Sequence, residues 1–236
     1  MSGIKEMPVG TDGPAVGKFG EDEACLHRGR PAAGQDPAKR DQILEGAWRV
    51  FERMGFDAAS MNDITREAGV SKGTLYVYFD SKERLFHELV REEKDRQFPA
   101  IFGINPDDQD LRGVLARIGR QFARFMTAPH VIMAMRTVIA MAERMPDIGA
   151  EFYEHGSREC SGLLAQYLEA QVAAGTLSIP DIELAAGQFL EMAQSTLSRP
   201  LLFGAQERPS EERIDAVVDS AVDVFLAAYQ KAPVPA

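Results

Sequence analysis

The chain has 236 residues, 45% of them hydrophobic and 26% charged, and a formal net charge of −10. That is enough apolar material for one large folded unit or two smaller ones, and no run of about 18 apolar residues offers a membrane span. The start of the chain lacks the basic-then-apolar layout of a secretory signal, so a cytoplasmic protein is expected; two distant cysteines, Cys25 and Cys160, without a CxxC or Cys/His cluster, argue against a disulfide framework, a metal site or a cofactor.

Residues 1–37 are rich in Gly, Pro, Ala and charge and show no periodicity, which predicts a disordered arm. Within it, GPAVGK at 13–18 is one residue short of a phosphate loop, has Phe19 in place of the hydroxyl and follows no apolar strand, so nucleotide binding is not expected. The RGRP run at 28–31 resembles the core of an AT-hook. Arg28 and Arg30 suit a narrow A·T minor groove, and a solvated linker is the other reading.

From Pro37 the pattern turns helical, with Ile43, Leu44, Ala47, Trp48 and Phe51 on one face and Gly55 just past the end. Residues 60–82 then read as two short helices around a glycine turn, a helix-turn-helix signature. Ser60 and Asp63 cap the first helix, Met61, Ile64 and Ala68 form its apolar face, and Gly69 permits the left-handed backbone that stops it. Ser71 caps the second, whose exposed start carries Lys72, Gly73, Thr74, Tyr76 and Tyr78, side chains suited to phosphate and base-edge contacts. Leu75 and Phe79 are expected in the core. Asp80 with Glu83 predicts an acidic capping box for a fourth helix running to about Gln97. Pro99, Gly103 and the turn residues at 105–108 mark the passage to a second region.

Helical segments follow near 109–127, 130–144, 147–174, 181–199 and 210–230, with no strand alternation. The expected fold is all-α, with about nine helices: an arm (1–37), a three-helix helix-turn-helix DNA-binding unit with the start of a linking helix (38–97), and a second helical region (98–236), to which the family resemblance given below assigns effector binding and dimerisation. Charge follows the same division. Residues 1–38 sum to −2, residues 39–97 to −1 and residues 98–236 to −7, so the acid lies away from the candidate DNA tips.

Residues 122–153 are rich in Phe and Met, which can line an adaptable cavity or simply fill a bundle core. The candidate pocket residues are Phe122, Phe125, Met126, Met133, Arg136, Met141 and Tyr153. Arg136, among apolar neighbours, needs an acidic partner from the protein or from a ligand. The last two helices carry Phe189, Met192, Val217, Ala221, Val224 and Phe225, which suit either an intrachain core or a two-fold interface.

The N-terminal third resembles the TetR family of bacterial transcriptional regulators, through FERMGF at 51–56, MNDITREAGV at 61–70, GTLYVYF at 73–79 and SKERLF at 81–86. LAAGQFL at 184–190 and the segment 144–153 are similar to the AefR-like subgroup. The resemblance implies a homodimer with one helix-turn-helix per subunit on a palindromic operator, a C-terminal effector cavity whose occupant usually releases DNA, and a dimer face on the last two helices. It places Ser71, Lys72, Gly73, Thr74, Tyr76 and Tyr78 toward DNA, Asn62 at the start of the preceding helix, and Lys82 on a phosphate. The leading reading is therefore a repressor released by a lipophilic small molecule. An activator, or a DNA-binding interaction protein without an effector, would use the same motif. An enzyme is not expected, because His27, His87, His130 and His155 are scattered with no nucleophile elbow, HExxH or carboxylate pair nearby.

Overall fold

The computed structural model of the chain describes residues 35–231 apart from 104 and 106. Helix α1 (Pro37–Ala58) opens on Asp36, whose carboxylate accepts the Ala38 and Lys39 amides, and its helical backbone breaks at Gly55, where φ is +77°. Helix α2 (Met61–Ala68) carries the expected capping box: the Asp63 amide donates to Ser60 Oγ, and Asp63 Oδ2 accepts the Ser60 amide. Gly69 ends it at φ +64°, ψ +35°, a left-handed conformation that costs any residue with a Cβ. Helix α3 (Lys72–Tyr78) restarts on Ser71, whose Oγ accepts the Thr74 amide at 3.0 Å.

Helix α4 (Lys82–Phe102) corrects two expectations. Its cap is Ser81, whose Oγ accepts the Arg84 amide at 3.1 Å, and not an Asp80/Glu83 box. Nor does Pro99 stop it. The helix continues a further turn because Phe98, Ile101 and Phe102 are all buried, and that packing outweighs one missing backbone donor.

The body follows as α5 (Leu111–Met126), α6 (Pro129–Met141), α7 (Pro146–Tyr153), a π-helical turn (Glu154–Arg158), α8 (Glu159–Ala173), α9 (Ile182–Leu202) and α10 (Glu211–Tyr229). The π turn joins α7 to α8 as one rod, so the described residues form nine continuous helical rods, as the sequence predicts. There is no strand among them; Leu177 and Gln230 form an isolated bridge. Helix α9 runs through Pro200, which falls in its last turn.

Two apolar cores organise the chain. One fills the body with Ile118, Leu164, Leu168, Phe189, Val218 and Phe225. The other fills the head with Ile43, Phe51, Ile64, Leu75 and Phe86, and it is completed by Ala134, Val138 and Met141 of α6 and Ile148 of α7. Head and body therefore share side chains through α6 and α7. Along the outer edge, Arg112, Arg120 and Arg124 of α5 pair with Asp223, Asp215, Asp219 and Glu211 of α10 at 2.6–2.7 Å, a ladder that sets the register of two helices more than it stabilises them.

Candidate nucleic-acid interface and ligand cavity

Helix α3 buries Leu75 (0% exposed) and Phe79 beneath it, which turns its other face outward. Ser71, Lys72, Gly73 and Tyr76 are exposed, Thr74 is half-buried, and Asn62 is exposed at the start of α2. Ser71 Oγ and Thr74 Oγ1 lie 2.8 Å apart, and Lys72 Nζ sits 5.8 Å from the Tyr76 ring centroid. Val77, 53% exposed, joins this face and was missed by the sequence reading. Its spacing from Gly73, four residues along the same helical face, was the available signal. Behind the surface, Arg49 and Arg53 of α1 grip Glu67 of α2 at 2.9 and 3.1 Å, which holds its carboxyl below the usual range.

Two residues expected to contact DNA have partners within the chain. The Tyr78 hydroxyl is turned inward, accepting the Asp36 amide at 3.1 Å and donating to the Asp36 carbonyl at 3.2 Å. Lys82 Nζ donates to the carbonyls of Phe56 (2.7 Å), Asp57 (3.4 Å) and Ala59 (2.9 Å) and lies 4.3 Å from the Phe56 ring centroid. Those carbonyls lie where α1 ends, the Phe56 one also accepting the Ala59 amide at 3.3 Å, and the ammonium serves as their cap. Arg28, Arg30, Cys25 and the 13–18 segment lie outside the described residues.

Between α4, α5, α6, α8, α9 and the π turn lies a cavity of about 880 Å³. Phe122, Phe125, Met126 and Tyr153 line it, together with Met135 and Phe152. Trp48 of α1 also reaches it, so the head supplies part of the wall. Glu93, Lys94 and His130 add polar groups to the wall, as do Arg158, Asp181, Glu183 and Glu191. The sequence reading missed Trp48, Glu93 and His130, which come from three separate helices.

Three expected pocket residues are elsewhere. Met133 and Met141 pack in the core shared by α6 and the head. Arg136 is exposed and pairs with no carboxylate among the described residues; it donates to the carbonyls of Leu201 (2.5 Å) and Leu202 (2.9 Å) and caps the end of α9. Cys160 lines the cavity but is 3% exposed, and burial pushes its thiol up to about 12, so it is inert.

Of the candidate interface residues, Phe189, Ala221 and Phe225 are buried within the chain, the two phenyl rings 5.4 Å apart. They are core, because α9 and α10 bury one face against α5 and against each other. Met192 and Val217 are half-buried, and Val224 is 54% exposed.

A capped helix-turn-helix mounted on an all-helical body is the architecture of a DNA-binding transcriptional regulator. Residues 43–89 match the model of the bacterial regulatory proteins of the tetR family, and residues 113–231 match the AefR-like transcriptional repressor C-terminal domain. The chain belongs to the TetR family of transcriptional regulators and is not an enzyme.

Among solved structures, a TetR-family regulator from Mesorhizobium loti MAFF303099 is 26% identical, with a TM-score of 0.77 over 82% of this chain and 98% of that one. The flavonoid-responsive regulator FrrA is 31% identical, with a TM-score of 0.67 over 83% of this chain and 98% of its own. The regulator BetI of Rhizobium meliloti (strain 1021) is 26% identical over 79% of this chain and 92% of its own length. Several other curated regulators are matched over only 23% to 42% of their own length. No helix among the described residues is long and apolar enough to cross a membrane.

Proposed function

We propose that the protein is a homodimeric repressor that leaves a palindromic operator when a small, largely apolar molecule occupies the cavity. The observation that carries this is the participation of Trp48: α1 holds the helix-turn-helix from behind and also forms part of the cavity wall, so an occupant touches the DNA-reading unit itself. Residues 38–97 would read DNA through Asn62, Ser71, Lys72, Gly73, Thr74 and Tyr76, with Val77 against a thymine methyl. Residues 98–231 would hold the effector and the partner subunit.

Two-fold symmetry of the protein suits a two-fold operator. The outward faces of α9 and α10, including Met192, Val217 and Val224, are available for a symmetry mate. Val224→Asp would place a charge there and should shift the sedimentation mass from dimer to monomer. The relative FrrA is described as flavonoid-responsive, and an aromatic-lined cavity of this size accommodates ligands of that class.

The test is a gel-shift titration of the purified protein against DNA from upstream of its own gene, at stated salt, with and without a panel of aromatic compounds. Specific retardation that one compound abolishes supports the reading. Specific retardation indifferent to every compound favours a regulator without an effector.

A further inference from the structure

Among the ionisable groups that line the cavity, Lys94 and Glu93 are already satisfied. Lys94 Nζ donates to Glu159 Oε2 at 2.6 Å and lies 2.9 Å from Asp95 Oδ1. Burial alone would lower its pKa, but the two carboxylates outweigh that and hold it above the ordinary lysine value. Glu93 accepts from Gln97 Nε2 at 3.0 Å on Oε1, and Arg96 pairs with its Oε2.

His130 differs. Its Nε2 is a buried nitrogen with no hydrogen-bond partner, 3.7 Å from Glu93 Oε1, too far for a hydrogen bond. Burial, only partly offset by the Glu93 charge, keeps its pKa below the ordinary histidine value, so the ring is neutral near neutral pH. A buried polar atom left unmatched in this way marks a place where a partner is gained.

We propose that His130 Nε2 and Glu93 Oε1 together receive one hydroxyl of a planar aromatic effector, an inference that rests on the effector-gated reading above. A hydroxyl both donates and accepts. Nε2 is closed over in this structure, so the imidazole and the carboxylate must part slightly to admit an oxygen about 2.8 Å from each, which accepts from Nε2–H and donates to the carboxylate. The aryl body then lies along Phe122, Phe125 and Met126. A ligand carboxylate is disfavoured, because Glu93 would face it with like charge and Lys94 is already neutralised by two carboxylates. The same imidazole packs on Trp48 of α1, so the group that recognises the hydroxyl also touches the head.

Trp48 is the single tryptophan of the chain, so occupancy reads out in its fluorescence, with calorimetry as the check where a ligand absorbs. The full chain is titrated with a monohydroxyflavone, its methyl ether and the matching carboxyflavone, rigid planar aromatics that differ at one substituent. The hydroxyflavone should bind about tenfold more tightly than the ether, equivalent to roughly 1.4 kcal/mol, and the carboxyflavone should bind most weakly.

His130→Phe keeps a ring against Trp48 and should reduce the hydroxyl preference to within about twofold. Glu93→Ala should do the same, and it keeps the test open if His130→Phe fails to fold. Equal affinity for hydroxyl and ether in the native chain overturns the proposal. So does a preference that survives both variants, or an absence of binding by all three flavones. Failure of the gating reading looks different: the hydroxyflavone binds with the expected preference, yet the operator complex persists.

Discussion

The indole of Trp48 on α1 and the imidazole of His130 on α6 meet edge to face, ring centroids 5.3 Å apart and planes at 64°. One ring belongs to the helix behind the DNA-reading unit, the other to the body. A denaturant cycle through Trp48→Ala, His130→Ala and the double variant, followed by circular dichroism, should return a coupling of about 0.5–1.5 kcal/mol. A coupling near zero would mean that the two rings are neighbours without being a joint.

On the outward face of α3, Lys72→Ala and Tyr76→Phe each remove one exposed contact group. Each should weaken operator binding by roughly 1–3 kcal/mol at most while leaving the melting temperature in place. A matching loss of thermal stability in both would assign them to fold support.

Tyr78→Phe and Lys82→Met should behave in the opposite way. The first loses the pair of hydrogen bonds to Asp36, worth about 0.5–1.5 kcal/mol each. The second leaves the Phe56, Asp57 and Ala59 carbonyls without their donor, about 1–3 kcal/mol of stability. Urea melts decide it: unchanged midpoints alongside lost operator binding would return both residues to the DNA.

Gly46 sits where α1 crosses α2, and a Cβ there would stand 2.6 Å from Ala68 Cβ and 2.8 Å from the Ala68 backbone. Gly46→Ala must therefore push two helix backbones apart, at about 1–3 kcal/mol. Because α2 carries the turn into α3, operator affinity should fall with stability. A variant that melts and binds like the native chain would show that the crossing is looser than this geometry requires.

Stability should also decline on mild acidification. His87 is 8% exposed with Nε2 3.0 Å from Glu151 Oε2, and burial, the largest influence, lowers its pKa despite the raising effect of Glu151 and Glu88. The unfolded chain, with a histidine pKa of about 6.5, then takes up the proton before the folded chain does. Folding stability is therefore full above about pH 6.5 and is lost as pH falls through that value toward the lower folded pKa. His87→Gln should flatten the melting temperature across that window. An identical pH profile in the variant would remove His87 from the effect.

Local chemistry was legible where it depends on neighbours in sequence. Ser60, Asp63, Gly69 and Ser71 announce the two short helices because caps and left-handed turns act over three or four residues. Long-range partners were not legible. Lys82 and Arg136 read as a phosphate contact and a ligand anchor, yet both serve carbonyls that end helices 23 to 66 positions away. Pro99 reads as a stop because the burial of Phe98, Ile101 and Phe102 is decided by tertiary packing. The Phe and Met richness of 122–153 located the apolar wall, but the polar pair needed Glu93 and His130 brought together from α4 and α6.

The clasp between Asp36 and Tyr78 fixes the place from which the preceding chain departs, beside the last residue of the helix that faces DNA. A label attached at residue 35 would therefore sit beside that helix, where its charge and bulk would enter every affinity measured. Gln230, by contrast, is bound into the body, where it bridges to Leu177. Labels meant to leave DNA recognition undisturbed belong there.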